Sequence, residues 1–119
     1  SYVDPSLVTP QVIDDVMLGA RSEGYMEGMT SLMKQYSEGE EIALAAQVRV
    51  PTLIPWGDQD RNKLRSEADD LQRLIQGAEL VRFADAGHYV HEEAAAGVAS
   101  AIEDWLERTS AGRREGAAV

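Results

Sequence analysis

The stretch that most constrains this chain runs from Val48 to His91, where two short apolar runs enclose a helical pattern. Val48 to Trp56 (VRVPTLIPW) is apolar almost throughout and short, as a strand covered on both faces should be. Pro51 cannot donate to a ladder, so it belongs near the strand's beginning or where its missing N–H has no partner. Leu64, Ala68, Leu71, Leu74 and Ile75 then recur at helical spacing, with Gly77 as a stop signal. Leu80, Val81 and Phe83 supply a second strand before Asp85-Ala86-Gly87-His88. Strand, helix and strand in so short a span predict parallel strands and a right-handed crossover.

That arrangement has a chemical consequence. Parallel strands send their following loops to the same, carboxyl edge of the sheet, where open α/β sheets place ligands. Asp60 follows the first strand and His88 the second. Adjacent strands lie ~4.8 Å apart, so a carboxylate and an imidazole at neighbouring strand ends can share a hydrogen bond. Such a pair is half of an acid–base–nucleophile apparatus. Asp60 has a competing role as a turn former or helix cap, as does Asp58. His88 has one as an ordinary loop histidine, with Gly87 easing the turn.

Val50-Pro51-Thr52-Leu53 leading into Trp56-Gly57-Asp58-Gln59-Asp60-Arg61, with Ala86-Gly87-His88 twenty-eight positions after Asp60, resembles the carboxyl-terminal half of an α/β-hydrolase. The likeness covers roughly residues 10 to 107. It implies an α/β fold: a parallel βαβα unit preceded by cap helices, incomplete without an upstream segment. It also implies Asp60, rather than Asp58, as the triad acid and His88 as the general base. No G-x-S-x-G elbow occurs in the chain. Ser1, Ser6, Ser22, Ser31, Ser37, Ser66, Ser100 and Ser110 read as caps, loop or helix positions. The nucleophile is therefore expected on an upstream segment, the amino-terminal part of the same hydrolase, as a second chain or absent altogether.

By the resemblance the reaction is hydrolysis of an ester-like small molecule, with no metal or organic cofactor. Relatives with an aspartate nucleophile (dehalogenases, epoxide hydrolases), C–C hydrolases and perhydrolases would use the same acid and histidine. A non-catalytic ligand-binding protein on the same scaffold is the alternative from another class.

The preceding residues are helical by pattern. Thr9-Pro10 makes an N-cap and first helical position, followed by the stripe Val12, Ile13, Val16, Met17, Ala20. Tyr25, Met29, Leu32, Met33 and Tyr36 form a second stripe, and Glu40 to Gln47 a third short helix. Tyr25, Met29 and Met33 are candidates for lining an apolar substrate pocket, against ordinary helix packing. Residues 1–47 are thus expected to be the end of a cap returning to the core, and 48–108 the core. Residues 109–119 (TSAGRREGAAV) lack periodicity and read as a disordered tail. Before that tail, Ala94, Val98, Ile102, Trp105 and Leu106 share a last helical face, with Glu92 and Glu93 suiting its first turn.

Composition closes several alternatives. A net charge of −10 repels phosphate backbones and disfavours nucleic acid as a partner. The absence of cysteine removes disulfides, thiolate zinc sites and a cysteine nucleophile on this chain. No stretch reaches the ~18 apolar residues of a membrane span, and the cytoplasm is the favoured compartment. A metal set of His88, His91 and Glu92 suits a helix face better than the turn expected there.

Overall fold

The computed structural model describes residues 2–37 and 39–117. Its elements are a 3-10 turn at Pro5–Leu7, α1 (Pro10–Ala20), α2 (Tyr25–Gln35), α3 (Glu40–Ala45), β1 (Leu53–Gly57), α4 (Arg65–Leu74), β2 (Glu79–Phe83), α5 (Val90–Glu93) and α6 (Ala95–Ala117). Local chemistry accounts for the helix starts. Thr9 Oγ1 accepts the Val12 N–H at 3.3 Å, with Pro10 in the first helical turn. Glu67 Oε1 reaches back to the Leu64 N–H at 3.1 Å at the head of α4. Gly77, at φ +76°, supplies the left-handed residue that ends the α4 segment.

β1 and β2 pair in parallel, Leu53 opposite Glu79 and Gly57 opposite Phe83. Glu79 N–H donates to Thr52 O at 3.0 Å and Asp58 N–H to Phe83 O at 3.0 Å. By strand alternation, Ile54 and Trp56 turn their backbone groups towards β2, whereas Leu53, Pro55 and Gly57 turn theirs to the open edge. Pro55 therefore costs no bond in the ladder that exists. β1 is shorter than the apolar run Val48 to Trp56. Val48 N–H is instead spent on Ala45 O at the end of α3, Pro51 has no donor, and β2 offers no partner before Glu79.

The two faces of this ribbon meet different helices. Ile54, Trp56 and Leu80 pack with Leu71, Leu74, Ile75 and Ala78 from α4 and its exit, and with Ala45 from α3. On the other face α6 lies over the sheet: Ile102 and Trp105 face Leu53 and Pro55 across a shallow apolar groove. Phe83 reaches the same helix, close enough that a methyl group on Gly97 would meet its ring at 2.8 Å. Arg108 of α6 pairs with Glu79 at 2.9 Å.

Two expectations are corrected here. The chain is helix-rich, and among the described residues the sheet has only two strands of five residues each. That is too little sheet for the βαβα part of an α/β-hydrolase core with cap helices. Most of the described residues lie in helices instead. The second correction concerns 109–119, where α6 continues through Ala117. Extending an existing helix avoids the cost of nucleating one, and Ala, Arg and Glu are good helix formers, so periodicity is not required. Residues 118 and 119 lie outside the described part.

Candidate functional site

The loops leaving β1 and β2 are bound to each other before any side chain is considered. Gln59 N–H donates to Ala86 O at 2.9 Å, and Asp58 N–H to Phe83 O, so the turn from Gly57 to Asp60 lies directly on the turn before His88. Gly57 makes this approach possible. A Cβ there would sit 2.1 Å from Gly87 O and 2.6 Å from Ala86 O, both backbone atoms.

On this base Asp60 Oδ2 lies 2.8 Å from His88 Nδ1. The ionised carboxylate accepts, so Nδ1 carries the proton, and in the neutral ring Nε2 keeps its lone pair. Asp60 is 8% exposed and His88 39%, which gives a sheltered acid and a ring that solvent or substrate can reach. The other carboxylate oxygen has a different use. Asp60 Oδ1 accepts the backbone N–H of Asn62 at 2.7 Å and of Lys63 at 3.2 Å. The turn-forming and histidine-orienting readings of Asp60 therefore both hold, one oxygen to each.

Asp58 is engaged elsewhere. It pairs with Arg82 at 2.6 Å and with Arg65 at 3.0 Å, and Arg82 continues to Asp69 of α4 at 2.6 Å. This network ties the β1 exit to α4 and leaves the histidine to Asp60. Arg82 is accordingly structural.

Burial pushes the Asp60 carboxyl up. Hydrogen bonds from His88 and the Asn62 and Lys63 amides, together with the histidine's charge, outweigh it and hold the group below the usual carboxylate range. The folded value thus lies below the ~3.9 of an unfolded aspartate. The resulting stabilisation is complete above about pH 5 and is lost as pH falls through the folded value. Urea midpoints followed from pH 7 to pH 3 are expected to drop in the wild type and to drop less in Asp60→Asn. Parallel curves would remove Asp60 from the acid response.

His91 stands apart from this pair, its Nε2 3.7 Å from Glu92 in an exposed position. Among the described residues no group of three or more His, Cys, Asp or Glu is arranged to hold a metal ion. Tyr25, Met29 and Met33 lie on α2, all exposed, and α2 packs chiefly against α1. The structure does not bring that stripe to β1, β2 or α5 in any comparable contact. None of the described helices is long and apolar enough to cross a membrane.

Two features of the site go beyond the sequence reading. Tyr2, which no pattern in the sequence singles out, stacks on Tyr89 at 4.8 Å between ring centroids. Its hydroxyl donates to Glu92, whose carboxylate helps push the phenol up to about 12. Glu93, read only as an acid suited to a helix start, accepts the Gly87 N–H at 2.9 Å. The Tyr2 contacts have no short-range signal, since they depend on the chain's beginning returning to α5, whereas the Glu93 contact spans six residues and depends on the shape of the turn between them.

No protein-family model matches the chain. Among curated proteins it is similar to the magnesium-chelatase 30 kDa subunit of Rhodobacter capsulatus, 32% identical over 83 residues, covering 70% of this chain and 29% of the relative. It is also similar to the dihydrolipoyllysine-residue acetyltransferase component of the acetoin cleaving system of Pseudomonas putida. That match is 31% identical over 97 residues, covering 79% of this chain and 25% of the relative. The chain thus spans between a quarter and a third of the length of these relatives.

These names correct the functional expectation. One relative is a chelatase subunit and the other an acetyltransferase component; neither is named as a hydrolase. Together with the two-stranded sheet, they overturn the expectation of an ester hydrolase and its dehalogenase, epoxide hydrolase, C–C hydrolase, perhydrolase and same-scaffold receptor variants. The Asp–His likeness had carried that expectation, and such a pair is a proton-transfer device that does not itself specify the acyl acceptor.

Proposed function

We propose that this chain contributes an Asp60–His88 general-base pair to an acyl-transfer centre, with an acceptor other than water. The observation that carries the reading is the 2.8 Å contact between Asp60 Oδ2 and His88 Nδ1, made by a sheltered carboxylate and a partly exposed ring. Asp60 holds the Nδ1–H tautomer and stabilises the imidazolium, while Nε2 takes a proton from a thiol or hydroxyl as it attacks the acyl carbon. The same proton then passes to the group that leaves, so the ring is restored after each transfer. Similarity to a protein named as an acetyltransferase component supports acetyl as the group transferred. The attacking group comes from a small-molecule acceptor or from another segment, on the same polypeptide or on a second chain.

The test follows acetyl transfer from an acetyl thioester to a small thiol in the intact protein, with the product quantified by mass spectrometry. His88→Ala is expected to reduce the rate at least ~10³-fold, within the range lost when a catalytic base is removed. His91→Ala should retain most of it. A wild-type rate in His88→Ala would overturn the reading.

A further inference from the structure

A general base is only as good as the fixity of its ring, and Asp60 holds one atom of His88. The backbone that carries the ring needs an anchor of its own. Gly87, immediately before it, gives its N–H to Glu93 Oε2 at 2.9 Å, in a partly buried contact. The other oxygen of the same carboxylate, Oε1, accepts the Val3 N–H. Glu93 therefore joins the histidine turn, six positions before it, to Val3, ninety positions before it in sequence. Tyr2, next to Val3, stacks on Tyr89, and Tyr89 meets the His88 ring edge-on at 5.5 Å and 77°.

We propose that Glu93 is a positioning residue for His88: one carboxylate grips the amide before the histidine and the amide of Val3, closing the aromatic pair Tyr2–Tyr89 against the ring. The inference rests on the general-base reading of the Asp60–His88 pair. Two charge-assisted hydrogen bonds to one carboxylate are stronger than neutral ones. They act on backbone atoms, so they restrict the whole turn rather than one rotamer. Glu92 serves as a graded comparison, since it holds the aromatic pair and not the amides. It is the adjacent acid on the same short helix, but its carboxylate goes to Tyr2 Oη and lies near His91.

The test is NMR of the intact protein labelled with ¹⁵N-histidine, reading the ring nitrogens and the solvent exchange of the Nδ1 proton. The wild type is expected to show His88 as the Nδ1–H tautomer with a slowly exchanging proton. Glu93→Ala should speed that exchange at least ten-fold and mix the tautomers, and Glu93→Gln, which keeps one acceptor, should recover part of the difference. Glu92→Ala, which frees the Tyr2 hydroxyl but leaves both amide bonds to Glu93 in place, should speed exchange less than Glu93→Ala does. A residue that served stability alone would lower the melting temperature without moving these signals in the folded protein. Where Glu93→Ala does not fold, Glu93→Gln decides: exchange at least three-fold faster supports the role, and a wild-type rate overturns it. A wild-type tautomer unmoved by Glu93→Ala overturns the positioning role alone. A wild-type ring lacking the Nδ1–H tautomer overturns the general-base reading and this inference with it.

Discussion

Asp60→Asn in the intact protein is expected to lower kcat for acyl transfer by about 10⁴-fold while leaving the fold in place, the size of loss seen when a triad acid becomes an amide. The cause is the tautomer. An asparagine can turn its amide N–H towards the ring, which then presents its proton at Nε2 and has no lone pair for the attacking group. Asp58→Asn should differ in kind. Its carboxylate serves Arg65 and Arg82 rather than the histidine and is largely buried. Its loss leaves Arg82 with only part of its compensation and should cost stability of about 1–3 kcal/mol with a small change in kcat. Steady-state kinetics and urea denaturation of both variants check this. Equal kinetic losses, or a larger one at Asp58, would refute the assignment of the acid.

The second large effect is expected at a residue with no side chain. Gly57→Ala would put a methyl group 2.1 Å from Gly87 O, and both the methyl and its obstacle are fixed to backbone. A flexible neighbour could swing aside, but here one whole loop must retreat from the other. Retreat would also stretch the Gln59–Ala86 and Asp58–Phe83 bonds that join the two turns. Destabilisation of about 3 kcal/mol or more is expected, at the upper end of overpacking effects, with loss of transfer activity in whatever fraction still folds. Chemical denaturation and activity at matched folded fraction measure the two separately. A wild-type urea midpoint would mean that the close approach of the loops is not a requirement of the fold.

Much of the site could be read from the sequence because its determinants are local. The helical recurrence of Ala68, Leu71 and Ile75, and the stop at Gly77, specify α4 without reference to anything distant. Two apolar runs flanking that helix then imply parallel pairing, and parallel pairing implies that Asp60 and His88 end on one edge. The β1 boundary was not legible, because it depends on where β2 can supply partners rather than on the apolarity of Val48–Val50. Nor was the division of Asp60 between two tasks, since a residue name does not assign its two oxygens. Tyr2 and the Val3 bond of Glu93 were out of reach in a stronger form, because they are set by the return of the chain's beginning to α5, and the Gly87 bond of Glu93 depends on the shape of the intervening turn. The family-level inference failed at another level. A turn and a Gly-His pair describe a way of handling a proton, and a reaction type was read into them that the relatives' names do not carry.

Pro55 has a consequence for how copies of this protein behave in a crowded solution. β1 is an apolar segment with an open side, the kind of sequence that can template its own stacking. A cross-β stack requires every strand to exchange bonds with the strand above and the strand below. Pro55 turns its donorless nitrogen to the open side of β1, while Pro51 interrupts the apolar run just upstream. A copy arriving at that edge finds the ladder broken at its centre. Pro55 thus weakens the open side of β1 as a template for an added strand, at no cost to the native pairing of β1 with β2.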